Sequence, residues 1–327
     1  MASLAICVNP MSGRDVRRLA ARATNMTHEA KRDIVARIAA GADAAGVSDI
    51  YVTREPFRIA TLALEHMSLR ARVHVLDHPI ANDARDTERA IAAYRDAGCR
   101  VVVSLGGDGT NRAIARCAPD VDLVPISTGT NNVFPRLVEP TIAGLVAGYW
   151  ARGVLPRETL VARSKMLHVS TSDGVKDVGL IDAVLLRDDH VGNLLPFDAR
   201  RLARIILTRA EPDSIGMSPI GGYLDVVEAQ DDCGLLLEMG PGTTFEAPLS
   251  PGLFREVSVA SVQRVPFGMP ILVHGPGVIA LDGDRDHKLD ATRTATVRVE
   301  RDGPHVIDVA AAMRHLVRDG IIARPPR

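Results

Sequence analysis

The chain has 327 residues, with 39 Lys and Arg against 40 Asp and Glu, 46% hydrophobic residues and 3% aromatic ones. That length exceeds what one hydrophobic core usually serves, so two domains are expected. The balanced charge leaves no footprint for nucleic acid or an anionic membrane, and no apolar run approaches the length of a membrane span.

The four cysteines, Cys7, Cys99, Cys117 and Cys233, form no CxxC pair and no zinc spacing, and read as buried reduced thiols. The N-terminus is apolar for only a few residues and lacks the basic start of a secretory signal. A soluble cytoplasmic protein is the expectation.

In chain order, the first half alternates. Strands are expected at residues 4–8, 50–53, 73–76, 101–104 and 123–126. Helical periodicity falls at 28–45, 56–67, 86–97, 111–118 and 141–150. Continuous apolar strands separated by helices indicate a parallel sheet covered on both faces. After residue 150 the pattern changes. Strands are expected at 161–169, 176–186, 235–239, 256–265, 271–273, 278–281 and 294–300, many separated by Gly, Pro or Asp turns, with one helical patch at 198–208. The expected fold is an α/β domain over residues 1–150, a mostly-β sandwich over 151–305, and a C-terminal helix within 306–327 that packs back on the first domain.

Chemistry concentrates in three turns. Gly106-Gly107-Asp108-Gly109-Thr110 lies between a strand and a helix, where glycines let the backbone approach a ligand and the helix start favours an anion. A carboxylate there is repelled by phosphate unless a divalent cation bridges the two or the carboxylate takes a proton from an attacking hydroxyl. Alone, the turn reads better as a tight bend with Asp108 capping the helix. Two further polar turns after predicted strands, Asn9-Pro10-Met11-Ser12-Gly13 and Ser127-Thr128-Gly129-Thr130-Asn131-Asn132, make a ligand site at one sheet edge the better reading.

The motifs NPMSG (9–13), GGDGT (106–110) and GTNN (129–132) resemble those of the superfamily of NAD kinases and diacylglycerol-type lipid kinases. With SGRDVRRL (12–19) and STGTNNVFP (127–135), they look most like the NAD-kinase-like subgroup that includes the acetoin-catabolism protein X. The resemblance implies an α/β nucleotide-binding domain followed by a β-sandwich, and an ATP- and Mg²⁺-dependent kinase of a small-molecule hydroxyl with NAD as leading acceptor. Another acceptor (an acetoin-pathway metabolite, a polyol or a lipid) and a non-catalytic nucleotide-binding regulator are the alternatives. By the same analogy the protein forms homo-oligomers.

Carried over by position, Gly106, Gly107, Gly109 and Thr110 line the nucleotide phosphates. Asp108 is the general base or metal-linked residue, Thr128, Gly129, Asn131 and Asn132 form the second nucleotide turn, and Asn9, Ser12 and Gly13 form the first. Asp182, in the position of the acceptor-contacting Asn-Glu pair of NAD kinases, is expected to bind substrate, although Ile181 stands where the asparagine belongs. The segment from Ser218 to Tyr223 matches a second acceptor motif only in part. No metal ligand set is assigned. Thr87 and Arg14 are secondary candidates for nucleotide contact, with Arg17, Arg18 and Arg136 behind them. Asp282 and Asp284 read as a β-turn around Gly283. His74, His78 and His190 read as ordinary polar residues.

Overall fold

The computed structural model describes residues 2–14, 18, 21–23, 25–195 and 197–323. Its first half runs β1 (Ser3–Val8), α1 (His28–Ala45), β2 (Asp49–Thr53), α2 (Ile59–Leu64), β3 (Arg72–Leu76), α3 (Ala84–Asp96), β4 (Val102–Gly106), α4 (Asp108–Cys117), β5 (Asp122–Ser127) and α5 (Pro140–Ala151). The five strands are parallel, in the order β3-β2-β1-β4-β5. All residues of β1 and β4 are buried, as an apolar strand covered on both faces requires.

Helices α1 and α5 cover one face. They touch backbone to backbone: a Cβ at Gly41 would stand 2.0 Å from Thr141 O, and one at Gly144 2.0 Å from Ile38 O. Helices α3 and α4 cover the other face, where Ile91, Tyr94 and Ile114 pack on Ala5 and Val102. The Tyr94 hydroxyl donates to Ile6 O at 3.0 Å.

The second half runs α6 (Arg157–Leu160), β6 (Val161–Arg163), β7 (Met166–Thr171), β8 (Lys176–Gly179), β9 (Asp182–Leu186), β10 (Leu202–Leu207), α7 (Ser218–Gly222), β11 (Cys233–Ser250) and β12 (Leu253–Pro266). It continues through β13 (Ile271–His274), β14 (Gly277–Leu281), β15 (Asp284–Leu289), β16 (Thr294–Glu300), β17 (His305–Ile307) and α8 (Val309–Arg318). One antiparallel sheet has the order β12-β11-β10-β9-β14-β15 and another β13-β16-β7-β8. They share a core of Leu167, Val169, Leu185, Ile206, Ile279 and Val297, which makes a sandwich. The short β17 pairs parallel with β5, and β6 pairs antiparallel with β17, so both join the first sheet. Helix α8, capped by Asp308, sends Ala312 and Leu316 into that sheet's core. Among the described residues no helix is long and apolar enough to cross a membrane.

β15, β17 and α7 were not expected from the sequence, β11 is longer than the expected 235–239, and three further segments change type or break. The single strand expected at 161–169 is two strands in different sheets. Between them Lys165 turns inward, and its ammonium donates to Glu228 O and Cys233 O at 2.8 Å each. The strand expected at 176–186 breaks at Leu180 and Ile181, whose N–H groups donate to the Asp282 carboxylate instead of a ladder. The helix expected at 198–208 is a 3-10 turn (Ala199–Arg201) followed by β10. Leu202, Ile205 and Ile206 fit either periodicity in so short a segment. Pairing with β9 and β11 on both sides decides for the strand.

Candidate active site

The three turns follow β1, β4 and β5 and meet at the carboxyl ends of these strands, where the strand order reverses. Side chains tie them to one another. Asn9 Nδ2 donates to Thr110 Oγ1 at 2.8 Å, joining the first turn to the second. The hydroxyls of Ser12 and Thr128 share a hydrogen bond of 2.7 Å, joining the first to the third. Gly13 has φ +67°, and a Cβ there would stand 2.2 Å from Thr128 O. Gly107 and Gly129 both pack on Asn132 Oδ1, 2.8 and 2.4 Å from where a Cβ would be. Glycine at these positions is therefore what allows the turns to touch.

The turns open on a cavity of ≈ 480 Å³ lined by Asn9, Ser12, Gly13, Gly107, Asp108, Gly109, Thr110, Gly129, Asn131 and Asn132, with Asp182 and Asp282 opposite. Gly106 and Thr128 are not on its wall. Gly106 lies beneath Thr110, and Thr128 is buried in the tie to Ser12. Asn131 reaches across to the sandwich, donating to Leu249 O at 3.0 Å and Ser250 Oγ at 3.2 Å.

Helix α4 begins at Asp108, with Gly107 as an N-cap that offers no side chain. Its first-turn N–H groups are thus left to a ligand or water. Asp108 does not cap its own helix. Its carboxylate accepts from Val133 N at 3.1 Å and Phe134 N at 2.9 Å, binding the second turn to the segment after the third. Burial, reinforced by the Asp282 carboxylate, pushes Asp108 up to about 7. Burial, with Asp282 and Asp108 next, also holds Asp182 well above the usual carboxylate range. The Asp182 Oδ1 atom is buried without a hydrogen-bond partner. Asp282, at φ +50° beside Gly283, makes the tight turn between β14 and β15. Its carboxylate accepts from the backbone N–H groups of Leu180, Ile181 and Asp182 at 2.7, 2.7 and 3.1 Å. The turn expected from sequence thus has a second role, fixing Asp182 at the cavity.

Among the secondary candidates, Thr87 lines the cavity, and Arg14 does not. Arg17 lies outside the described residues. Arg18 donates to Thr130 Oγ1 at 2.8 Å and Gly129 O at 2.9 Å, so it supports the third turn. Arg136 pairs with Glu211 at 3.2 Å, away from the cavity. His78 is on the cavity wall, whereas His74 hydrogen-bonds Asp49 at 2.7 Å elsewhere. Within the partial motif, Ser218 is buried in α7, donating to Arg209 O at 2.9 Å, and Tyr223 packs against Phe245.

Sequence reasoning missed two cations. Arg112 on α4 is buried and donates to Val178 O at 2.7 Å and Leu281 O at 3.2 Å, and its guanidinium pairs with Asp177 at 2.6 Å. It latches the first sheet's layers to the sandwich. Its partners lie 65 to 174 residues away, beyond any local pattern. Lys31 on α1 is buried under the first turn. Its signal was readable: it falls on the apolar face with Ile34, Val35 and Ile38, where a lysine has no ordinary reason to be.

Residues 4–153 match the model of the ATP-NAD kinase N-terminal domain, and residues 165–302 match that of the acetoin catabolism protein X C-terminal domain. The acetoin catabolism protein X of Cupriavidus necator is 34% identical over 338 residues, which cover 98% of this chain and 94% of the relative. The chain belongs to the acetoin catabolism protein X family. Structures similar to this acetoin catabolism protein X family member include yeast NADH kinase complexed with NADH (14% identity, 99% of this chain and 89% of that one, TM-score 0.49). A putative diacylglycerol kinase from Bacillus anthracis str. Sterne is similar at 11% identity (94% and 97% covered, TM-score 0.46).

A divalent cation fits one place in this family member better than another. Among the described residues, the side chains close enough to share an ion are Asp177, Asp286 and His287. The Arg112 guanidinium already stands there, 2.6 Å from Asp177 and 3.2 Å from Asp286, and excludes a second cation. At the cavity, Asp182 Oδ1 is buried without a hydrogen-bond partner, an oxygen of the kind that suits a hard cation.

Proposed function

We propose that the protein transfers the γ-phosphoryl group of ATP to a hydroxyl of a small molecule, with NAD the first acceptor to test. The observation that carries this reading is Asp108. It is a carboxylate brought to about 7 by burial, on the wall of a ≈ 480 Å³ cavity, at the open start of a helix. A group with that value exists in both protonation states near neutral pH, which suits a general base. The N–H groups at the start of α4 and the glycine turns hold the phosphates by backbone donors. Asp182 would hold a Mg²⁺ ion, which would supply charge neutralisation.

Asp108 takes the proton of the acceptor hydroxyl as its oxygen bonds to the γ-phosphorus. The bond from that phosphorus to the bridging oxygen breaks, and ADP leaves. Positioning and charge complementarity provide most of the rate. Incubating the protein with labelled ATP, Mg²⁺ and a panel of hydroxyl acceptors tests the reading. Label transfer that persists undiminished in Asp108→Asn sinks it.

A second reading, a nucleotide-binding regulator without turnover, has one observation in its favour. Both Asp108 oxygens already accept backbone N–H groups, from Val133 and Phe134, as a structural staple does. It is supported if ATP binds and no acceptor becomes labelled.

A further inference from the structure

Lys31 is 0% exposed, and its ammonium donates to three carbonyls of one turn: Asn9 O at 2.9 Å, Pro10 O at 2.7 Å and Ser12 O at 2.7 Å. These use all three of its donors. Among the described residues no carboxylate pairs with it. The charged and titratable groups nearest in its field are Arg14, Arg18, Glu55 and His28. Burial, aided by Arg14 and Arg18, brings it down to about 7. Burying an ammonium is costly, and a methionine or leucine would fill the same place on the apolar face of α1 without that cost. What the ammonium does, and an apolar side chain does not, is gather the carbonyls of Asn9, Pro10 and Ser12 onto one point of α1. The same turn carries Ser12, tied to Thr128, and Asn9, tied to Thr110. One buried cation therefore sets the spacing of all three turns.

We propose that Lys31 is the positioning residue of the phosphate cradle, holding the 9–13 turn in the shape that receives the donor's phosphates. This rests on the reading of the cavity as a nucleoside triphosphate site. The test is calorimetric binding of MgATP and of inorganic tripolyphosphate to the full chain, its Lys31→Met variant and an Asp43→Ala control. Asp43 anchors the other end of α1, accepting from Arg70 N at 2.7 Å and Ala71 N at 2.8 Å. The control therefore weakens the same helix far from the cradle.

Folded Lys31→Met should bind both probes at least about tenfold more weakly, because the loss is at the phosphates and not at the base, while Asp43→Ala binds as wild type. Binding by folded Lys31→Met within about twofold of wild type, or an equal loss in Asp43→Ala, overturns the proposal. If Lys31→Met does not fold, Lys31→Arg decides. It keeps the charge, but a flat fork cannot serve three converging carbonyls, so weaker binding supports the proposal and unchanged binding overturns it. Wild-type protein that binds neither probe refutes the nucleotide reading itself, an outcome distinct from a Lys31 variant that binds normally.

Discussion

The two walls of the cavity are held by different physics. In the wall from the first sheet the turns touch through neutral hydrogen bonds of 2.7 to 2.8 Å and glycines that permit contact, with the Lys31 ammonium beneath them. The wall from the sandwich presents Asp182 and Asp282 toward Asp108, three carboxyls that burial raises above their ordinary values. That wall holds electrostatic repulsion that a cation or a proton relieves. One wall is shaped for binding, and the other is poised for charge to arrive.

The comparison is broken most directly at Asp108. Asp108→Asn should lower the rate of phosphoryl transfer by about 10²-fold or more while leaving the fold intact, read by steady-state kinetics beside circular dichroism. Next comes the latch between the walls. Arg112→Met leaves Asp177 and two carbonyls facing an apolar side chain, and should cost about 3–5 kcal/mol in urea unfolding. Although burial opposes it, the hydrogen bond from His287 and the Arg112 guanidinium hold Asp177 below the usual carboxylate range. Gly13→Ala attacks the neutral wall. A methyl group 2.2 Å from Thr128 O, at φ +67°, should cost more than about 1 kcal/mol and weaken nucleotide binding. Asp182→Asn works the other way. Removing one repelling charge should raise stability by about 1 kcal/mol and lower activity.

A further test is in pH. The folded value of Asp108, about 7, lies above its ordinary 3.8, so the folded state holds the proton more strongly between these values. Stability therefore falls as pH rises from about 4 to about 7, and the melting temperature should be higher near pH 5 than near pH 7. Asp108→Asn should flatten that slope. Lys31, lowered from 10.5 to about 7, acts in the opposite sense only above pH 7 and leaves this window clear.

The same division explains what was legible in the sequence. The neutral wall announces itself: glycines flanked by Asn, Ser and Thr after apolar strands have few other uses, and all three such turns meet at one cavity. The carboxylate wall does not. Asp282 reads as a turn residue because it is one, and its grip on Leu180, Ile181 and Asp182 joins positions about a hundred residues apart. Asp182 was reached only through its match to the position of the Asn-Glu pair of NAD kinases. Lys31 was legible from its place on the apolar face of α1, whereas Arg112 sits in a helix rich in charge and only the fold shows that it turns inward. The strand at Leu202–Leu207 was lost to a helical pattern because its partners, not its own spacing, set its conformation.

β6 and β17 lie side by side at the outer edge of the first sheet, and the whole sandwich is strung between them. This fixes an order of assembly. During synthesis β1 to β5 emerge early, but their sheet cannot gain its last two strands until the ribosome has passed His305–Ile307, after every strand of the sandwich. A nascent chain thus has its glycine turns in hand long before the carboxylates that face them. The cavity closes only when translation brings the outgoing and returning strands together.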